Sequence, residues 1–101
     1  MLNQTVIIGR LIEDPILIEE KGKKNTTIKI SVPRSWKNVK GEYEEDVLEI
    51  FLNSEIAENT VEYCKKGDLI GVKGRLQNNG TMIIVAEKVT FLSSREKTRE
   101  E

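Results

Sequence analysis

Asn53-Ser54-Glu55-Ile56-Ala57-Glu58-Asn59-Thr60-Val61-Glu62-Tyr63-Cys64-Lys65-Lys66-Gly67 is a stretch whose apolar residues recur at helical spacing. Ile56, Ala57, Thr60, Val61 and Cys64 fall on one face of a helix. Asn53 or Ser54 is placed to cap its start with a side-chain oxygen, and Glu55 lies in the first turn, where the dipole favours a carboxylate. Lys65-Lys66-Gly67 is expected to close it, with cations at the negative end of the dipole and a glycine for a left-handed cap. Everything around this helix reads as strand, so its place in the element order decides the fold.

Upstream, Leu2 to Ile12 holds a β-branched run with an internal Gly9, the mark of a bulge or sharp bend, and Asp14-Pro15 breaks it. Ile16-Leu17-Ile18 is short and apolar, and Glu20 to Asn25 is turn-like. Thr26 to Val32 alternates with a period of two, putting Ile28, Ile30 and Val32 on one face, and Pro33 is expected to end that strand. Asp46 to Leu52 reads as a third strand with little exposed surface on either side, which assigns Phe51 to the core. Downstream, Asp68 to Leu76 is a fourth strand in which Gly71 and Gly74 point to strong curvature. Asn78-Asn79-Gly80 is a hairpin turn, and Thr81 to Leu92 a fifth strand carrying Phe91 inward. Tyr63 is expected to pack against the barrel mouth. The expectation is an all-β domain over residues 1–93, a five-stranded Greek-key barrel of the oligonucleotide-binding type (OB-fold). One short helix lies between strands 3 and 4 and plugs one end. A half-open roll with the helix on one face shares the same order. Residues 94–101 form a charged tail with nothing to bury, expected to be disordered.

With 101 residues there is room for one domain, large enough to fold without disulfides. The single cysteine, Cys64, has no internal partner and suits a reducing compartment. The first residues lack a basic segment followed by an apolar run, and no apolar stretch approaches the ~20 residues that span a bilayer. A cytoplasmic protein without a membrane partner is expected. Histidine is absent, Cys64 has no metal-ligand partner at a recognisable spacing, and no glycine-rich phosphate loop leads into a helix. Neither catalysis, nor a metal, nor a cofactor is expected. Glu19-Glu20 and Glu44-Glu45-Asp46 read as solvated edges in a chain that is 33% charged.

Sixteen basic and seventeen acidic residues give a net charge of −1, which counts against binding a polyanion by bulk charge. Distribution matters more than the sum. Lys21, Lys23, Lys24 and Lys29 form one basic cluster; Arg34, Lys37 and Lys40 form another around the lone tryptophan, Trp36. An indole flanked by cations offers a flat face to a nucleobase and charge to the adjoining phosphates. Read as a hairpin loop, the same residues could instead fold the tryptophan back onto the sheet. Tyr43 either stacks a second base or fixes the loop to its own strand. Arg10 and Arg75, each beside a glycine, are candidates for phosphate contact.

Five segments together resemble the bacterial single-stranded DNA-binding protein family. These are Leu2 to Leu11 with Asp14-Pro15, Ile28 to Trp36, Ile56-Ala57-Glu58, Tyr63 to Asp68, and Val72 to Leu76. The resemblance implies an oligonucleotide-binding fold, non-enzymatic, that assembles as a homotetramer or homodimer and binds single-stranded DNA without sequence preference. It implies service in replication, recombination and repair beside proteins of those pathways. Carried over by position, Trp36 matches a base-stacking tryptophan, Arg34, Lys37 and Lys40 flank it, and Arg10 faces the groove. Lys29 joins them in the binding set. Lys73 and Arg75 fall on the fourth strand, where a solvated face or a subunit contact is the other reading. The chain departs from the pattern elsewhere. A second stacking tryptophan aligns near Val47-Leu48, a phenylalanine aligns with Asn53, and a long aromatic-bearing loop has shrunk to Gln77-Asn78-Asn79-Gly80. Arg95 to Glu101 does not match the family's acidic, phenylalanine-ended tip. A second reading is therefore an interaction module of a primosome-like assembly with weak or lost DNA binding.

Overall fold

Ile28, Ile30, Ile50, Leu52, Ile70 and Val72 occupy alternate positions in three segments, and all are buried. That alternation is what forces these segments to be strands around a shared interior. The computed structural model describes residues 1–93; the tail over 94–101 lies outside them. Its elements are β1 (Thr5–Leu11), β2 (Ile18–Glu20), β3 (Lys23–Lys37), β4 (Tyr43–Asn53), α1 (Ser54–Tyr63), β5 (Leu69–Asn78) and β6 (Met82–Ser93). The sheet order is β1-β5-β6-β4-β3-β2. β1 also pairs with β3, through Arg10 with Ser31 and Leu11 with Ile30, and this second partnership closes a five-stranded barrel. Closure excludes the half-open roll. The three-residue β2 is an addition at the outer edge of β3.

The interior is aliphatic. Leu11 and Ala86 join the alternating residues above, and Ala57 of α1 with Cys64 just beyond it cover one end. Each aliphatic side chain of this kind contributes about 1.5–3 kcal/mol on burial, so the core needs no aromatic ring. Cys64 is buried, and its thiol is pushed up to about 11 by burial and by the nearby Asp68 carboxylate. It is therefore a neutral packing group at physiological pH.

Several expectations need correction. Pro33 does not end its strand: β3 runs on to Lys37, because Pro33 sits where the pairing with β4 becomes irregular, a place that tolerates a missing N–H. Asn53 is the N-cap, but neither it nor Ser54 supplies a side-chain cap bond. The helix stops at Tyr63, with Cys64 extended, so Lys65-Lys66-Gly67 lies beyond it. There Gly67 adopts a positive φ in a turn that donates to the Leu11 carbonyl. Phe91 is 45% exposed and Tyr63 61% exposed, and the two rings meet at 6.0 Å on the outside. Phe51 is only half-buried and points away from the core, because Ile50 and Leu52 on either side point into it.

Two glycines account for the curvature. A Cβ on Gly9 would lie 2.6 Å from the Ser31 carbonyl oxygen, where β1, still paired with β5, meets β3. One on Gly74 would overlap the Val85 carbonyl, beside a bulge in the β5–β6 ladder. Gly71 is different, since a Cβ there would meet only Leu92 and Ile8 side chains at 3.6 and 3.8 Å. Gly74→Ala is accordingly expected to destabilise the fold by about 1–3 kcal/mol, whereas Gly71→Ala is expected to be tolerated. Urea unfolding of both variants checks this, and equal effects would refute the assignment.

Candidate nucleic-acid interface

Beyond Pro33 the β3–β4 ladder loses its register. Pro33 is opposite Glu45 and Lys37 is opposite Tyr43, so Arg34, Ser35 and Trp36 on β3 face Glu44 alone on β4. The excess backbone arches outward. It carries Trp36 with it, on the strand rather than in a loop, and the indole is 67% exposed. The turn that follows is organised by Asn38, whose Oδ1 accepts from the N–H groups of Lys40 at 2.8 Å and Glu42 at 3.0 Å, while Gly41 adopts a positive φ. Lys40 stands at the exposed tip, and Lys37 lies 5.8 Å from the centre of the Tyr43 ring, within cation–π range. Tyr43 is 58% exposed, with its ring turned towards Lys37.

Arg34 is committed elsewhere. Its guanidinium makes a forked pair with Asp46, at 3.2 and 2.9 Å, and a further bond to Glu44 at 2.8 Å. The hydrogen bond and charge of Asp46 hold Arg34 protonated more firmly than usual, and the same hydrogen bond holds the Asp46 carboxyl below its ordinary value. Arg34 thus braces the base of the arch; a phosphate would have to displace carboxylates to reach it.

The remaining expected residues divide between two regions of the barrel. Rows of paired residues run across the strands: Thr27 on β3, Phe51 on β4, Val85 on β6 and Arg75 on β5 make one, and Lys29 with Glu49 the next. Val47, Ser31 and Arg10 make a third. Lys29, Arg10 and Arg75 are therefore brought to one outer face that leads to the Trp36 arch. Lys73 is not: its neighbours are Val6 on β1 and Lys88 on β6. Each cation on the shared face already has a partner. Lys29 is 3.9 Å from Glu49, Arg75 is 3.3 Å from Glu87 and donates to Gln77, and Arg10 donates to the Gly67 carbonyl at 3.1 Å.

Phe51, which the sequence assigns to the core, joins this outer face instead. The signal was present in the alternation itself, since a strand that buries Ile50 and Leu52 must turn Phe51 outward, along with Val47 and Glu49. Among the described residues no group of histidine, cysteine or carboxylate side chains could hold a metal ion, and no helix is long and apolar enough to cross a membrane.

The family model described as "Single-strand binding protein family" matches residues 2–92. The chain belongs to this family. Its similarity to single-stranded DNA-binding protein B of Bacillus subtilis (strain 168) is 44% identity over 78 residues, covering 76% of this chain and 69% of that one. Single-stranded DNA-binding protein 3 of Listeria innocua is 38% identical, over 95% of this chain and 67% of its own. Single-stranded DNA-binding protein 2 of Staphylococcus aureus (strain COL) is 35% identical, over 99% and 80%. Among solved structures, a deletion mutant of the single-stranded DNA binding protein from Thermus aquaticus superposes with a TM-score of 0.74 at 24% identity. The match covers 93% of this chain and 52% of that one, so this family member spans about half of that chain, and the likeness speaks for the fold alone.

The Arg34–Asp46 pair gives a pH test. A carboxyl whose pKa is depressed on folding adds stability above its unfolded value, here 3.8, and loses it as pH falls through the folded value. Asp46→Asn is expected to be less stable than the parent at neutral pH, with the gap closing below about pH 3.8. Thermal melts of both proteins across that range check it; a gap independent of pH would refute the pairing.

Proposed function

We propose that this protein binds single-stranded DNA without sequence preference, in the cytoplasm, during replication, recombination or repair. The observation that carries the reading is the outward indole of Trp36 at the end of β3, beside Lys37 and Tyr43. A base stacks on the indole, Lys37 and Lys40 supply charge for the adjoining phosphates on the arch, and Lys29, Arg10 and Arg75 continue that charge across the barrel face. Arg34 contributes by holding the arch in place. Tyr43 offers a smaller second ring. Membership of the family, and relatives that bear the name of single-stranded DNA-binding proteins, support this reading over that of a primosome-like interaction module.

Assembly as a homotetramer or homodimer is part of the proposal. Val6 and Ile8 of β1 are exposed and apolar, which suits pairing of first strands between copies, and Lys73 borders that region.

Titrating the fluorescence of Trp36 with oligothymidylate at low and raised salt tests the reading. Quenching that weakens as salt rises is expected, because phosphate contacts release counterions. Trp36→Ala is expected to cost about 1–3 kcal/mol of binding, the contribution of one stacked base. An unchanged spectrum at micromolar strand, with no binding by a second method, would overturn it.

A further inference from the structure

Phe51 stands apart from the two aromatics of the arch. It lies at the middle of the four-strand row from Thr27 to Arg75, half-buried and directed outward. Its ring borders three adjoining hollows, of about 540, 390 and 160 Å³. The first is bounded by Lys23, Lys24 and the start of α1, the second by Thr27, Val47, Met82 and Ile84, and the third by Arg75 and Gln77. The ring is therefore a ridge between depressions, and its base is held by packing on Val85, which is buried.

We infer that Phe51 is a second base-stacking platform, and that the hollow beside it on the Val47–Met82 side seats an unpaired nucleobase of the same strand that Trp36 engages. The inference rests on the reading of this protein as a single-strand binder. Three observations favour a nucleobase over another occupant. The second hollow is lined by Val47, Met82, Ile83 and Ile84 together with Thr27, Thr81 and Glu49, apolar walls with polar groups among them, the combination that suits a flat ring with polar rims. Lys29 on the adjacent β3 and Arg75 on β5, beyond Val85 of β6, stand on opposite sides of Phe51 along a path for a phosphate backbone. The face is continuous with the Trp36 arch, since Glu45 opposite Pro33 and Phe51 lie on the same strand and on the same side of it. Six residues at about 3.3 Å each separate them, roughly 20 Å, so one strand of several nucleotides reaches both rings.

The test uses Phe51→Leu, which keeps an apolar side chain on Val85 but removes the ring, with Phe51→Tyr as the conservative variant. Affinity for a long oligothymidylate is measured for both, beside the parent and Trp36→Ala, with thermal melts of each. Phe51→Leu is expected to weaken binding roughly 5- to 150-fold, the range of one stacked base. Phe51→Tyr is expected to restore it, and a strand carrying abasic sites throughout is expected to bind parent and Phe51→Leu equally. If Phe51→Leu binds oligothymidylate as the parent does while Trp36→Ala is weakened, Phe51 is no platform and the single-strand reading stands. Should Phe51→Leu lose folding, the double variant Trp36→Ala with Tyr43→Leu decides: a remaining preference for oligothymidylate over the abasic strand supports the platform, and equal binding of the two strands overturns it. A parent that binds no strand at all overturns the reading and this inference together.

Discussion

The double partnership of β1 governs this structure. One short strand pairs with β5 along most of its length and with β3 at its end, and β3 can come that close because Gly9 has no Cβ to meet the Ser31 carbonyl. Once β1 is shared, the sheet has no free edge within the barrel, and alternate residues of every strand are committed to the inside or the outside. The aliphatic core follows from the first set. The candidate binding face follows from the second, because Arg10, Lys29, Phe51 and Arg75 are the outward members of strands whose inward members are packed.

That outer face is a mosaic of paired charge rather than a basic groove. Lys29 with Glu49, Arg34 with Glu44 and Asp46, and Arg75 with Glu87 are exposed pairs. Apart from the forked Arg34–Asp46 pair, such exposed pairs add little to stability. Their effect is on what the face can recruit: a phosphate arriving there exchanges one anion for another, so charge contributes less to affinity than in a basic groove. Aromatic and apolar contacts then carry a larger share, which is consistent with the weight placed on Trp36 and Phe51.

Much of the fold was legible in the sequence because it is written in local periodicity. The period-two runs located the long strands, the helical spacing of Ile56, Ala57 and Thr60 located α1, and Asn79-Gly80 located the β5–β6 turn. Ends were harder. Pro33 reads as a stop, yet a strand continues through it, because the irregular pairing that absorbs a proline is a property of two strands and not of one. Lys65-Lys66-Gly67 reads as a helix end, yet the turn there is tied to β1 and to Asp14 by contacts far apart in the chain. At the candidate site, the sequence leaves an outward and a folded-back Trp36 both open and the structure has it outward, whereas nothing in the sequence signals the capture of Arg34 by Asp46 and Glu44. Those carboxylates lie ten to twelve residues away, and only the hairpin register brings them across. Phe51 reads as core because its strand is apolar at successive positions, and only the closed barrel makes one side of that strand an outer face.

The irregular stretch from Pro33 to Lys37 also separates two structural modules. Barrel register is set by the regular pairs from Asn25 with Asn53 to Pro33 with Glu45, and the arch beyond is joined to it through a mismatch that already absorbs surplus backbone. Length changes in the arch can therefore be accommodated at the junction without sliding the strands beneath it. A chain built in this way can vary its reach towards a ligand while leaving its packed interior untouched, which makes the arch the natural place to graft longer or differently charged hairpins.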